Sequence, residues 1–211
     1  MNKPMIKNLI RPFYFFFKRK KQKSEFKNQL LNNNGDIKIV VGSEGIYDKG
    51  WISTEVHFLD LLKPNDWIKY FREASISKIL AEHVWEHLSY EDGCIAAQTC
   101  FKFLKEGGGR LRIAVPDGFH PGKEYIDHVK PGGIGPGADD HKILYNYKSI
   151  TEMLTQAGFE VTLLEYFDES AIFHNINWDK NDGFVRRSIK FDERNKDGRP
   201  NYTSLIVDAI K

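Results

Sequence analysis

Two glycines and a carboxylate that could bind a ligand lie close together in the stretch KIVVGSEGIYDKGWISTEV, from Lys38 to Val56. An apolar run ends at Gly42, a second glycine follows at Gly45, and the next apolar run ends at Glu55. Glycines after a first strand let the backbone approach a ligand, and an acid after the next strand can accept hydrogen bonds from both hydroxyls of a ribose. The full G-x-G-x-x-G spacing is absent, so a plain turn between strands is the alternative. The acid favours a nucleoside-type ligand.

A second polar group, HVWEH at residues 83–87, follows the apolar run ISKILA and spells H-x-x-E-H, the inverted zinc-protease motif. Zinc chemistry would need both histidines one turn apart on a helix, a third ligand and an open position. ISKILA is strand-like, so His83 is expected to leave a strand end and His87 to begin a helix. We therefore predict no metal site. For His87, packing under a loop and contact with a substrate both stay open.

Three more places offer groups that could act on a substrate. Asp117 ends VPD and is a candidate base, although an Asp after Pro is also ordinary turn chemistry. His141 follows the glycine-rich KPGGIGPGADD and is a second candidate base, unless that loop is only surface. Arg187 offers a guanidinium that suits a carboxylate or phosphate, or that pairs with the acids of FDERNKD. Tyr145 is assigned to the substrate side as well.

Alternating apolar segments predict the elements that must position these groups. Strands are expected over IKIVVGS, GWISTEV, ISKILAEHV, RLRIAVPD, FEVTLLEYF and YTSLIVDAI. Helices are expected over DWIKYFREA, over YEDGCIAAQTCFKFLKEGG, and over YKSITEMLTQAGF. This order predicts an α/β fold with a doubly wound, mostly parallel sheet, helices on both faces and an antiparallel last strand. Ligands of such sheets bind at the carboxyl ends of the strands.

Composition limits the class of protein. The chain has 211 residues, of which 41% are hydrophobic and 28% charged, which fits one soluble globular domain. Two cysteines provide neither a disulfide framework nor a zinc cluster, so we expect a cytoplasmic protein. Residues 1–27 hold nine Lys or Arg and one Glu, a net charge of +8, which leaves −6 for the rest of a chain whose total is +2. An acidic body argues against nucleic-acid binding.

The first 34 residues are expected to form a separate segment before a domain at 35–211. An aromatic block, residues 13–17, runs into five cations between Lys18 and Lys23. The block is too short to span a bilayer, and its charge follows the apolar residues, unlike a secretory signal. The segment is either a flexible tail or an anchor at the inner, anionic membrane surface, contacting it through residues 1–27.

Several of these segments resemble a known family. KIVVGSEGIYDKGWISTEV, ILAEHVWEHLSYEDG, GGGRLRIAVPD and HKILYNYKSITEMLTQAGFE look like the small predicted S-adenosylmethionine-dependent methyltransferases of the class I, Rossmann-like group. The tail GFVRRSIKFDERNKDGRPNYTSLIVDAIK is similar to a branch associated with surface-polysaccharide biosynthesis. The resemblance covers residues 37–211. It implies S-adenosylmethionine as the cofactor and O-methylation of a sugar or glycan precursor.

The resemblance also assigns roles by position. It implies these cofactor-binding residues: Gly42, Ser43 and Gly45 at the methionine part, Glu55 at the ribose, Asp60 and Leu61 beside the adenine, and Glu82 and His83 near the sulfonium. His83, Asp117 and His141 are the candidate catalytic bases; His87, Tyr145 and Arg187 are the substrate-side residues. Val40 and Glu44 depart from the family pattern. A non-catalytic binding module in a glycan-assembly complex is the alternative function, and a zinc hydrolase is a third.

Overall fold

Helices and strands alternate along the computed structural model, which describes the backbone of residues 4–211 and the side chains of residues 14–211. Five α-helices are present in that range: α1 Pro4–Leu31, α2 Pro64–Trp67, α3 Tyr90–Phe103, α4 Lys123–Val129 and α5 Tyr147–Gln156. Seven strands accompany them: β1 Ile37–Val40, β2 Ile52–Ser53, β3 Ile76–Glu82, β4 Arg110–Pro116, β5 Glu160–Phe167, β6 Phe173–Asn175 and β7 Ser204–Ile210.

All seven strands form one sheet in the order β2-β1-β3-β4-β7-β5-β6. The pairs β1–β2, β1–β3 and β3–β4 are parallel. The last strand, β7, is antiparallel to both neighbours, β4 and β5, and β6 pairs antiparallel with β5. Strands β1 to β5 consequently all run in one direction. This arrangement confirms the predicted α/β fold with a mostly parallel sheet and an antiparallel final strand.

The two faces of the sheet are covered differently. One face packs a large apolar core with residues of α1, α2, α3 and α5, including the fully buried Trp67, Phe103 and Ile150. The other face forms a smaller cluster that is covered by Val185 and Trp178 from the irregular segment between β6 and β7. We had expected helices on this second face too. An irregular covering segment leaves its polar loops free to line a cavity.

That segment is tied to the sheet by Arg112, whose guanidinium also belongs to a buried ion pair. Arg112 of β4 and Asp208 of β7 are both buried, and two guanidinium nitrogens donate to the carboxylate at 2.7 and 2.8 Å. Arg112 also donates to the backbone carbonyls of Asp179 and Gly183, and its guanidinium lies over the Trp178 ring. These contacts satisfy most of the guanidinium's donors, as burial of a charge requires.

Some element boundaries differ from the sequence-based expectation. The second strand is reduced to Ile52–Ser53, and the helix expected over residues 66–74 is the single turn α2. Trp67, the last residue of α2, and Phe71, four residues later, both pack in the core, where the Trp67 ring lies 5.3 Å from Phe103. Helix α4 and strand β6 had no counterpart in the sequence pattern, because both are short.

Helix α1 extends through most of the segment that we expected to be flexible or anchored. Phe26 is fully buried, with its ring centroid 4.9 Å from those of Phe58 and Tyr70. Gln29 accepts a hydrogen bond from the backbone of Ser53. The C-terminal half of α1 is therefore part of the folded body, and no separation occurs at residue 34. Residues 14–17 of the same helix, in contrast, are exposed.

We predict that Phe26→Ala lowers the free energy of unfolding by about 3 to 5 kcal/mol, because it leaves a cavity among aromatic rings. The matched control is Phe16→Ala on the exposed part of the same helix, which should change stability by no more than about 0.5 kcal/mol. Urea denaturation measures both. Equal stability of the two variants would contradict the packing of α1 on the sheet.

Candidate functional site

The turn after β1 has a backbone shape that only glycine suits at its first position. Gly42 adopts a φ of +60°, and a Cβ atom there would lie 2.9 Å from a methyl group of Val84. Glu44 also has a left-handed φ of +50°, which places a side-chain-bearing residue where glycine is preferred. Glu44, which departs from the family pattern, therefore still adopts the left-handed backbone conformation. Gly42 could carry a side chain only if Val84 moved.

Ser43 connects this turn to the residues after β2. Its hydroxyl lies 2.5 Å from the hydroxyl of Ser53 and donates to Oε1 of Glu55 at 3.2 Å. The backbone N–H of Gly45 donates to the same Ser43 oxygen. Parallel pairing of β1 with β2 brings both chain segments to one edge of the sheet, and the Ser43 hydroxyl fixes their spacing. Ser43 and Gly45 therefore hold the shape of the turn, and neither lines the cavity described below.

Glu55 is half-buried at this edge. Besides the bond from Ser43, its Oε1 accepts a hydrogen bond from Gln22 of α1 at 3.2 Å. Burial raises the pKa of Glu55 above its usual value, although the hydrogen bond from Ser43 acts in the opposite direction. Hydrogen bonds from additional hydroxyl groups would stabilise the charged form of this partly buried carboxylate.

Glu55 faces a cavity of about 440 Å³, which we call the Gly42 cavity. Five of the expected cofactor-binding residues line it: Gly42, Glu55, Asp60, Leu61 and His83. Asp60 is held in place because its carboxylate accepts the backbone N–H of Leu62 and pairs with Lys63 at 2.8 Å. Glu82 does not line the cavity. Its carboxylate accepts the backbone N–H of Arg187, so it holds the C-terminal segment.

A second cavity, of about 560 Å³, adjoins the first and is called the His141 cavity here. Four of the expected catalytic or substrate-side residues line it: His83, His87, His141 and Arg187. His83 and His87 also line the Gly42 cavity. These two histidines therefore form the wall shared by the two cavities.

His83 is oriented by a buried acid. Its Nδ1 lies 2.8 Å from Oε1 of Glu86, whose side chain is almost completely buried, and its Nε2 lies 3.3 Å from the hydroxyl of Ser204. Burial raises the pKa of Glu86, but the hydrogen bond and charge of His83 outweigh it and leave that pKa below its usual value. When His83 is neutral, an ionised Glu86 places the one ring proton on Nδ1. Nε2 then accepts a hydrogen bond from the Ser204 hydroxyl.

Two expected site residues have structural roles instead. Asp117 is fully buried and lines neither cavity; its carboxylate accepts backbone N–H groups of Phe119 and Phe167, at 2.9 and 2.7 Å. Tyr145 is also buried, with its hydroxyl 3.7 Å from the sulfur of Met153. Both acceptor oxygens of Asp117 are occupied and Tyr145 is enclosed in the core. These placements correct the catalytic role expected for Asp117 and the substrate contact expected for Tyr145.

Other polar residues at the His141 cavity were not anticipated: Glu86, Glu124, Tyr125, His128, Arg194, Asn201 and Tyr202. Glu86 belongs to the H-x-x-E-H motif, but only the two histidines of that motif were considered as site residues from the sequence. Glu124 and His128 lie on α4, which is too short to leave a clear period. Arg194 stacks on Tyr202, 3.4 Å from its ring centroid, and pairs with Asp192.

No protein-family model matches the sequence, and no curated protein matches it. Solved structures with a similar arrangement include an S-adenosylmethionine-dependent methyltransferase from Archaeoglobus fulgidus, at 16% identity and a TM-score of 0.46, over 94% of this chain and 100% of that one. A methyltransferase of the same description from Mesorhizobium loti is 15% identical with a TM-score of 0.46, over 87% and 95% of the two chains.

Haemonchus contortus phosphoethanolamine N-methyltransferase 2, in complex with S-adenosylhomocysteine, is 13% identical with a TM-score of 0.46, over 91% of this chain and 52% of that one. Identities and TM-scores this low do not transfer an activity. This chain's own strand order identifies its α/β fold.

We predict a pH-dependent cost of keeping Asp117 buried. Burial raises its pKa from 3.8 to about 6, against the lowering effect of the N–H groups of Phe167 and Phe119. A folded-state pKa above the unfolded one means that the folded state holds the proton more tightly, so this group costs stability as pH rises from 4 to 6. Over that range, the free energy of unfolding of the wild type should fall by about 2 kcal/mol relative to Asp117→Asn.

Urea unfolding of both proteins at several pH values measures this difference. A difference that stays constant from pH 4 to 6 would show that Asp117 titrates normally and is not enclosed as described.

Proposed function

We propose that this chain is an S-adenosylmethionine-dependent methyltransferase that binds the cofactor in the Gly42 cavity. The observation that carries the proposal is the joint placement of the Gly42 turn and the desolvated carboxylate of Glu55 on one cavity, at the carboxyl edge of parallel strands. A ribose supplies two hydroxyl donors for a carboxylate in that position, and the bare Gly42 backbone admits close approach of a ligand. The cavity volume lies within the range of small-molecule sites.

The rest of the cofactor is assigned from the family resemblance together with the cavity that each residue lines. Asp60 and Leu61 lie beside the adenine, and the Gly42 turn lies along the methionine part. The sulfonium is placed toward His83, because that residue lines both cavities. A methyl group carried on the sulfonium is then presented to the His141 cavity, where the acceptor binds.

Alignment supplies most of the catalysis in this proposal. The sulfonium is already a good leaving group, so fixing the acceptor oxygen in line with the methyl carbon and sulfur is worth roughly 7 kcal/mol or more. Neutral His83 is the base that takes the hydroxyl proton through Nε2, once the acceptor replaces the Ser204 hydroxyl at that nitrogen, and it adds about 10²- to 10⁴-fold. Glu86 holds the ring in the required tautomer, as the acid of a catalytic triad does. Of the three bases expected from the sequence, His83 is best placed, since Asp117 is occupied by backbone groups.

For the acceptor, we propose a sugar or glycan-precursor hydroxyl. The His141 cavity offers exposed polar groups of several kinds, a carboxylate at Glu124, an amide at Asn201 and a guanidinium at Arg187, which suit a ligand with many hydroxyls. Within residues 14–211, no carboxylate lies within ion-pair distance of the Arg187 guanidinium, so this cation is available to a negatively charged group of the precursor. The resemblance of the C-terminal tail to a polysaccharide-associated branch agrees with this substrate class.

We further propose that α1 places the enzyme on an anionic membrane surface. Tyr14, Phe15, Phe16 and Phe17 are consecutive and all exposed, so they cover the helix all around. They precede the cations at residues 18–23, and aromatic rings with adjacent lysines suit the headgroup region. None of the helices within residues 4–211 combines the length and apolar character needed to cross a membrane. Contact would therefore be limited to the surface.

We predict that Glu55→Ala weakens binding of S-adenosylhomocysteine by about 1 to 3 kcal/mol, or roughly 5- to 150-fold, through loss of charge-assisted hydrogen bonds to the ribose. The measurement is calorimetric titration of the purified protein. Glu160→Ala removes an exposed carboxylate at the start of β5 and should bind as the wild type does. Unchanged affinity in Glu55→Ala would contradict the ribose assignment.

We predict that replacing Phe15, Phe16 and Phe17 by serine lowers recovery of the protein with vesicles that contain phosphatidylserine, in a sedimentation assay. Phe26 stays in place, because deleting all of residues 1–27 would remove a core residue as well. Ile134→Ser removes an exposed apolar side chain from the glycine-rich loop and should leave recovery unchanged. Equal recovery of the triple variant and the wild type would contradict the anchor.

A further inference from the structure

Three potential metal ligands meet at the wall of the His141 cavity. Glu86, His87 and His141 each have a ligand atom within 4.8 Å of the ligand atoms of the other two. Glu86 and His87 come from the 3-10 turn Trp85–His87 after β3, and His141 follows the glycine-rich loop. Residues far apart in sequence thus present an acid and two imidazoles to one point.

The acid of this cluster has an unused acceptor. Oε1 of Glu86 is bonded to His83, whereas Oε2 is buried and has no hydrogen-bond partner among the groups that the structure describes. Only 1% of the Glu86 side chain is exposed. A buried carboxylate oxygen with no partner costs free energy, and a cation bound beside it removes that cost.

His141 has the orientation of a metal-binding histidine. Its Nδ1 lies 2.7 Å from the backbone carbonyl of Val129. The carbonyl can only accept, so the proton is on Nδ1 and Nε2 keeps its lone pair. Metal-binding histidines commonly donate their other ring N–H to a carbonyl in this way, which fixes both the tautomer and the ring plane.

The third member, His87, lies with its ring centroid 4.8 Å from that of His141 and nearly perpendicular to it. Its Nδ1 is buried and lacks a hydrogen-bond partner in the described part of the chain. The nearest carboxylate oxygen, on Asp140, is 3.4 Å away, a distance that suits a charge contact but exceeds that of a good hydrogen bond. His87 therefore has a nitrogen with no strong competing partner.

We propose that Glu86, His87 and His141 bind one divalent transition-metal ion, of the zinc type. One carboxylate and two imidazoles suit Zn²⁺ and similar ions, whereas Mg²⁺ and Ca²⁺ prefer oxygen ligands throughout. Ligand atoms about 2.0 to 2.2 Å from a tetrahedral ion lie roughly 3.3 to 3.6 Å from one another. The present separations, which reach up to 4.8 Å, therefore have to close by as much as about 1.5 Å through side-chain rotation. The assignment is independent of the methyl donor, since none of its evidence comes from the Gly42 turn or Glu55.

The proposed site differs from that implied by the H-x-x-E-H motif. His83 is not a ligand; it bonds to the other oxygen of Glu86 and so lies behind the acid. Three protein ligands leave an open position, and the cluster lines the His141 cavity. An ion there would lower the pKa of a bound hydroxyl, which is the group that the proposed acceptor offers.

Metal binding to chelator-treated full-length protein tests the proposal. Zn²⁺ is titrated by calorimetry and Co²⁺ by its visible d–d absorption. We expect one ion per chain, cobalt bands typical of nitrogen and oxygen ligands, and a higher melting temperature in the presence of Zn²⁺. His141→Ala, on a loop, should lower the affinity by at least about 100-fold, because even outer contacts of metal ligands cost 10- to 100-fold.

Two further variants sharpen the result. Glu86→Gln removes the charge with little change of shape and should also lower affinity. His128→Ala removes another histidine of the same cavity that lies outside the cluster, and it should bind metal as the wild type does. Absence of stoichiometric binding, or equal affinity in wild type and His141→Ala, would overturn the site. Binding of S-adenosylhomocysteine is measured separately in each variant, so a failure of the metal site is distinguished from a failure of the cofactor site.

Discussion

The bond between the Ser43 hydroxyl and Glu55 is the interaction on which the proposed cofactor site depends. It ties the turn after β1 to the residues after β2, at an edge that parallel pairing has already aligned. Because Gly42 has no side chain, the turn packs directly on Val84 and leaves the neighbouring space open. Backbone hydrogen bonds from Ser43 to Thr54 and from Thr54 to Val40 hold the two segments together, and the Ser43 side chain adds the contact that positions the Glu55 carboxylate beside the turn.

His83 links this edge to the second cavity. It follows β3 directly and has a φ of +57°, a conformation that is costly for a residue with a side chain. The backbone bond from its N–H to Ala114 and the bond from its ring to Glu86 hold it there. Strain of this kind tends to occur where a side chain must point in one direction for function. Here that direction is along the wall between two cavities.

The sequence was sufficient to predict the α/β class, because long buried strands and the helices α3 and α5 have clear periods. It also predicted that Gly42, Glu55 and His83 lie at one edge of the sheet, because the carboxyl ends of parallel strands lie at the same edge. Roles that depend on the third dimension were missed. VPD gives no sign that Asp117 accepts backbone bonds from β5, fifty residues away. Likewise, the basic composition of the N-terminal segment conceals the fact that Phe26 is a core residue.

The same limit applies to the acid and histidine cluster. The H-x-x-E-H pattern suggests two histidine ligands, whereas in the structure His83 bonds to Glu86. The third group, His141, follows a glycine-rich loop whose path cannot be predicted from the sequence pattern. Glu86, flanked by the two histidines, bonds to one and faces the other.

A crystal structure of the protein with S-adenosylhomocysteine tests the central claim most directly. The account predicts electron density for the nucleoside in the cavity beside Gly42, with both ribose hydroxyls within hydrogen-bond distance of the Glu55 carboxylate. Density elsewhere on the molecule, or a ribose that makes no contact with Glu55, would contradict it.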